Sequence, residues 1–397
     1  MVSVDPVILN IAILSLVALL IGMVLRYYNQ PSVIAYILTG IILGPYGFHL
    51  LRDNALVSHL GNIGVVLLLF FAGMEISIDG LIRKWRIAII GTFFQIMISV
   101  LVVYILGHYL GWPVGRSVLI GFVISLSSTA VVLNIIQNRN ELGTKTGQDV
   151  LSILLIQDIA VIPMIIVISL LSGNAVNPGE VLLQVIGGIL SVLFVIWLVY
   201  KKHVSLPFGS RIRQDHELQV LAAFILCFGI AVVTGLFQLS TALGAFLAGV
   251  FLASARETEW VHNSLHSFKV IFIAVFFLSI GMLIDLRFLW DNLALILVIL
   301  FFVYLMNTLI NAIVFRLNGR TWRESFYGGS LLAQIGEFSF ILAAIGLQTG
   351  IIAGYSYQIT IEVIALSLIV SPFWIGYFCR FMKRARKLYD KTLKHAA

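Results

Sequence analysis

The sequence predicts an all-α polytopic membrane protein, and three observations carry that prediction. Of 397 residues, 60% are hydrophobic and only 11% are charged, with a mean hydropathy of +1.05. A soluble chain of this length has no way to bury so much apolar side chain. The apolar residues also fall in long runs, each near the roughly 20 residues needed to cross ~30 Å of hydrocarbon. Lastly, Lys and Arg gather in alternate loops, as a membrane topology requires. Stacked membrane helices form one continuous unit, so the two or three domains that length alone would indicate are not expected.

Taken in order, the runs lie at about 7–26, 33–50, 56–76, 87–110, 116–138, 147–172, 180–200, 217–237, 240–255, 268–285, 289–316, 325–348 and 357–379. The opening MVSVDPVILN has neither a positive n-region nor a small-residue cleavage site, so the first run reads as a retained span and not a signal peptide. With the N-terminus outside, the inner loops and the tail hold 22 of the 25 Lys and Arg residues. The outer loops hold only Arg52, Arg116 and Arg287. That alternation supports about thirteen helices, N-terminus outside and C-terminus in the cytoplasm of a cell inner membrane. The net charge of +7 then reflects topology, with no groove for nucleic acid. Residues 381–397, including KRARKLYDKTLKH, read as a basic cytoplasmic tail against lipid headgroups and the start of a linker to a regulatory domain.

An internal repeat organises the helices. VIAYILTGIILG at 33–44 resembles ALGAFLAGVFLA at 242–253, an offset of 209. FFAGMEISIDGL at 70–81 resembles FFLSIGMLIDLRFL at 276–289, and aligning their Gly-Met pairs gives 208. The offset covers seven helices, an odd number, so the copies face opposite ways across the bilayer. Inverted repeats of this kind build secondary transporters. The expected plan is a transmembrane domain over 1–380, with six-helix repeats at about 1–175 and 210–380 and a linking helix at 180–200. The same shift carries SLSSTAV (125–131) onto QIGEFSF (334–340) and Asp158 onto Ser367. Spans 5 and 12 are therefore expected to be paired, interrupted helices that cross at mid-depth.

The polar groups at depth mark a site. In ILLIQDIAVIPMIIV (153–167), Gln157 and Asp158 sit inside an apolar run. A carboxylate at a helix centre costs about 2.5–3.5 kcal/mol on insertion scales, so such groups are rare and usually functional. Pro163 has no N–H, which frees the carbonyl of Ile159 beside the carboxylate. Hard oxygen ligands suit a dehydrated monovalent cation, while desolvation favours the protonated acid. A group that holds either a cation or a proton, never both, is the minimum machinery for antiport. In span 5, Ser125, Ser127, Ser128 and Thr129 offer hydroxyls and unwound backbone, and Asn134 lies near the inner end. In span 12, Gln334, Gly336 and Glu337 interrupt the apolar run. Each also has a bland reading: a satisfied structural aspartate, small residues at helix interfaces, a structural acid. Asn307 and Asn311, at i,i+4 spacing in span 11, read as inter-helix hydrogen bonding. Lys269 opens span 10 as a positive-inside anchor or the partner of a buried acid. Glu75 and Glu362 fall near span ends, where interfacial or paired roles are expected.

Other classes find less support. Cys227 and Cys379 lie far apart in apolar runs and make no disulfide framework or metal cluster. There is no HExxH motif, and the eight histidines fall at span ends, in loops or in the tail, so an intramembrane enzyme is not expected. No TVGYG-like segment supports a channel filter.

With these residues in view, the chain resembles the membrane domain of the monovalent cation:proton antiporter-2 family, nearest to Kef-type potassium:proton antiporters. The elements that carry the likeness are SLSSTAVVL (125–133), LLIQDIAVIP (154–163), LGAFLAGVFLA (243–253), SFKVIFIAVFFLSIGM (267–282) and AQIGEFSF (333–340). The resemblance implies that Asp158 is the cation- and proton-binding carboxylate and that Gln157 marks the potassium-type motif. Sodium:proton members that move net charge carry two adjacent acids there. It further implies electroneutral exchange, a homodimer, and an elevator-like movement of a core domain. A sodium:proton antiporter of the same fold is the alternative. The loop ARETEWVHNSLHSF (255–268) lacks the acidic cluster of glutathione-gated members, so that gating is not expected. No cofactor is expected in this chain, with K+ as substrate and a nucleotide only on a C-terminal regulatory domain.

Overall fold

The computed structural model describes residues 6–28, 30–50, 85–141, 143–171, 178–201, 215–237, 239, 241–254 and 259–396, with nine further positions between 63 and 74. The described residues are helical almost throughout. Among the described residues, six helices are long and apolar enough to cross a membrane: Leu9–Tyr27, Arg86–Tyr109, Lys145–Leu171, Glu217–Leu236, Leu293–Leu317 and Gly354–Arg380. Shorter apolar helices complete the set. The run expected at 56–76 lies partly outside the described residues, and Glu75 lies outside them.

The chain divides into two compact units: residues 1–24, 35–83 and 161–286, and residues 25–34, 84–160 and 287–397. In the first, Leu67, Phe70 and Phe71 pack with Ala223, Cys227, Ala245, Ala248 and Leu252. Two backbone crossings there bear directly on the repeat. A Cβ on Gly40 would lie 2.1 Å from the carbonyl oxygen of Leu278 and 2.9 Å from the Cα of Gly281. A Cβ on Gly249 would lie 2.1 Å from the carbonyl oxygen of Phe70 and 3.0 Å from the Cα of Gly73. The offset that carries Gly40 onto Gly249 also carries Gly73 onto Gly281, within one residue. One glycine–glycine contact is thus made twice, as a structural duplication requires. Only a residue without a Cβ allows such an approach.

The second unit contains α1 (Trp85–Tyr109), α2 (Val114–Ser125), α3 (Thr129–Asn138), α4 (Leu293–Leu317), α5 (Trp322–Leu331), α6 (Phe338–Gln348) and α7 (Gly354–Ala396). It also holds residues 145–160 of α8 (Lys145–Leu171), which continues past Pro163. α4 packs on α5 and α1, α2 packs on α1 and α6, and α7 packs on α5, α6 and α4. The start of α5 is fixed by a reciprocal cap: Thr321 Oγ1 accepts from the Glu324 N–H at 3.3 Å, while Glu324 Oε2 accepts from the Thr321 N–H at 3.0 Å.

Spans 5 and 12 are each broken, as the repeat predicts. α2 and α3 are separated by residues 126–128, and α5 and α6 by 332–337. The offset of 209 carries 126–128 onto 335–337. Lys269 lies in the helix Glu259–Met282, directly before its apolar stretch Val270–Met282, and the polar stretch HNSLHS ahead of it is helical as well. Residues 381–396 continue α7, which is one 43-residue helix.

Candidate functional site

Breaking a helix in an apolar interior strands its last carbonyls, which have no intrahelical donor. The protein satisfies those of α2 one by one. The carbonyl of Phe122 accepts from Ser125 Oγ at 2.8 Å, and that of Val123 from Ser339 Oγ at 2.6 Å. Ile124 accepts from Asn307 Nδ2 at 2.8 Å, Ser125 from Gln157 Nε2 at 3.2 Å, and Leu126 from the Gly336 N–H at 2.8 Å. Within the break, Leu126 (φ −89°, ψ 131°) and Ser128 (φ −80°, ψ 112°) are extended. The Ser127 N–H donates to Gln157 Oε1 at 3.0 Å, and Ser128 Oγ caps α3 by accepting from the Val131 N–H at 3.3 Å. No Gly or Pro enforces this break; polar side chains from other helices hold it open.

The second break is tied in the same manner. Ser127 Oγ donates to the carbonyl of Leu332 at 2.8 Å, and Asn307 Nδ2 to that of Ala333 at 3.2 Å. The Ile335 N–H donates to Ser367 Oγ at 3.1 Å. Tyr304 OH donates to the carbonyl of Ser367. Gly336 is where the two breaks touch: a Cβ there would lie 2.5 Å from the Ser127 carbonyl oxygen.

Asp158 stands beside this crossing, 4% exposed. Thr129, the first residue of α3, directs its hydroxyl at the carboxylate, with Oγ1 3.1 Å from both Oδ1 and Oδ2. The site thus combines one buried titratable acid, one partly buried hydroxyl and a stretch of buried non-helical backbone. Such an arrangement offers hard oxygen atoms to a dehydrated cation and one place for a proton.

The predicted residues sort by what they touch. Thr129 meets Asp158 directly. Gln157 neighbours it in sequence, but its amide bonds at both ends to the backbone of the first break, so it braces that segment. Ser125, Ser127 and Ser128 spend their hydroxyls on carbonyls or on the cap. Gln334 is fully buried in the second break, and neither end of its amide makes a hydrogen bond among the described residues. Glu337 is buried at the start of α6, whose N-terminus its side chain does not cap. Ile159 follows Asp158 in α8, and Pro163 lies inside that helix. Asn134 lies in α3 and Lys269 in Glu259–Met282, in the first unit; both side chains fall outside the described part of the structure. Sequence reasoning gave Asn307 and Asn311 no part in the site and missed Gln95. Gln95 Nε2 donates to Asn307 Oδ1 at 2.8 Å, and Asn311 Nδ2 to Gln95 Oε1 at 3.0 Å. An isolated Gln in an apolar run was the available signal. Glu362, expected near a span end, is fully buried within α7 and accepts from Gln358 Nε2 at 3.2 Å.

This geometry agrees with what the chain is similar to. Residues 12–380 match the family of transmembrane sodium/hydrogen exchangers. The chain belongs to that family. It is 37% identical over 383 residues to the protein called iron transporter MagA of Paramagnetospirillum magneticum, covering 96% of this chain and 88% of that one. It is 31% identical over 362 residues to K(+) efflux antiporter 5 of Arabidopsis thaliana, covering 88% of this chain and 63% of that relative's length. In fold it is similar to the sodium proton antiporter MjNhaP1 of Methanocaldococcus jannaschii, with a TM-score of 0.68 at 16% identity, over 94% and 98% of the two chains. The protein is thus a multi-pass membrane protein of the cation/proton antiporter class, of the antiporter-2 type.

Proposed function

We propose that this exchanger trades one potassium ion for one proton across the cytoplasmic membrane, electroneutrally, and that Asp158 holds either ion in turn. The observation that carries the reading is the buried Asp158 carboxylate with the Thr129 hydroxyl 3.1 Å from both of its oxygens, beside two interrupted helices. A protonated acid releases its proton to admit a cation, and the cation must leave before the proton returns. With one acid at this position and Gln157 committed to the backbone, one charge exchanges for one charge. Neutral oxygens and a single carboxylate suit a weakly hydrated monovalent ion better than a divalent one. The second unit, which carries the site, would move as the core of an elevator-type homodimer, oriented with the N-terminus outside and the C-terminus in the cytoplasm.

A second reading comes from the relative called an iron transporter, which matches nearly the whole chain. One experiment separates these and the sodium alternative: proteoliposomes with an interior pH dye, given potassium, sodium, rubidium, lithium or an iron salt in turn. A potassium-dependent pH change, insensitive to membrane potential and abolished by Asp158→Asn, is expected. Retained exchange in that variant removes Asp158 from the mechanism, and a potential-driven signal removes electroneutrality.

A further inference from the structure

The amide chain Gln95–Asn307–Asn311 is fully buried, and it reaches both breaks. Asn307 has two amide hydrogens. One goes to the carbonyl of Ile124, at the end of α2, and the other to the carbonyl of Ala333, inside the second break. No other side chain among the described residues donates to the backbone of both interrupted segments. Which way the Asn307 amide faces is decided by Gln95: its Nε2 donates to Asn307 Oδ1 at 2.8 Å, which leaves Nδ2 turned toward the carbonyls. Gln95 is in turn oriented by Asn311, whose Nδ2 donates to Gln95 Oε1 at 3.0 Å and to the Asn307 carbonyl at 2.9 Å.

We propose that Asn307 is the positioning residue of the exchanger, holding the two broken segments in register so that the Thr129 hydroxyl meets Asp158, with Gln95 setting its orientation. The path is short. Asn307 fixes the carbonyl of Ile124, Gln157 and Gly336 fix the next two, and Thr129 begins the helix that follows the break. Loss of the Asn307 donors leaves two buried carbonyls unsatisfied and frees the segment that places Thr129. Cation binding needs that geometry, so affinity and pH dependence respond, and not only the amount of folded protein.

The inference rests on the proposed exchange at Asp158, and the experiment keeps the two separable. Asn307→Ala, Gln95→Leu and Asp158→Asn are reconstituted in parallel, with potassium titrated at several pH values and thermal stability measured in detergent. Asn307→Ala is expected to raise half-saturating potassium by about tenfold or more and to displace the pH of half-maximal exchange. Gln95→Leu keeps the Asn307 donors but removes their orientation, and is expected to shift both in the same direction by less. If Asn307→Ala does not fold, Gln95→Leu carries the test. A folded variant with lower maximal rate but wild-type half-saturation and pH midpoint overturns the positioning role. Exchange that survives Asp158→Asn overturns the underlying function instead.

Discussion

Gly336→Ala puts the crossing to a quantitative test. The added Cβ would sit 2.5 Å from the Ser127 carbonyl oxygen, 2.7 Å from its carbon and 3.0 Å from the Ser128 nitrogen. All three are backbone atoms, so no rotamer relieves the clash. Ordinary contact begins at 3.4 Å, and 3.4 minus 2.5 means that the segments must part by about 0.9 Å. The Gly336 N–H donates to the Leu126 carbonyl at 2.8 Å, and a shift of that size takes it beyond hydrogen-bonding distance. Overpacking of this kind costs about 1–3 kcal/mol. Ser127 and Ser128 directly precede Thr129, so the displacement passes to the hydroxyl at Asp158. A misplacement near 1 Å at a reacting group can cost roughly 100-fold in rate. Proteoliposome exchange with an interior pH dye, beside a thermal melt, is the assay. The expected result is a loss of between about 10- and 100-fold with folded protein retained. Gly376→Ala, where nothing lies within 4 Å of the new Cβ, is expected to leave both unchanged. Wild-type exchange in Gly336→Ala would refute the view that close contact of the two breaks sets the site.

Three further outcomes follow from the same unit. Thr129→Val removes the hydroxyl held 3.1 Å from both carboxylate oxygens of Asp158; a hydrogen bond to a charged group is worth about 1.5–3 kcal/mol, so half-saturating potassium should rise, as read by flux titration. Arg320 Nε lies 2.7 Å from Asp149 Oδ2, and Asp149 is buried, so Arg320→Ala takes a charged hydrogen-bond donor from a buried carboxylate and should destabilise the protein by about 1.5–3 kcal/mol in thermal or denaturant unfolding. The Thr321 backbone N–H, followed by its hydroxyl and the neighbouring Arg320, holds the Glu324 carboxyl below the usual range; the cap's contribution is present above the ordinary glutamate range and is lost as pH falls through the lowered value, and Thr321→Ala should cost about 1 kcal/mol and flatten that acid-side loss in melting curves.

Much of the fold was legible because hydropathy and charge act locally. The apolar runs located the long helices, and the repeat located both breaks even though SLSSTAV contains neither Gly nor Pro. Asp158 and Thr129 were legible as polar groups at depth. The supports were not. Gln95 and Asn307 are 212 positions apart, and no local pattern announces that their amides meet. Gln157 drew attention as a neighbour of the acid, but its work is done on Ser125 and Ser127, across 32 and 30 positions. Glu362 was assigned to a span end from its place near the start of the apolar run, and its pairing with Gln358 fits that place; its burial depends on the helices packed around α7. Start points based on hydropathy also miss helix that continues past the apolar run, as at Glu259–Met282 and through Ala396.

The paired glycine crossings explain why the ancestry of this chain is so faint in its letters. At the four glycines main chain meets main chain, and a Cβ at any of them would close that approach whatever side chains pack around it. Two halves can therefore diverge until little but those positions matches, and still keep one architecture. A search for ancient duplications in such proteins would do better to compare where backbones touch than to compare which residues surround them.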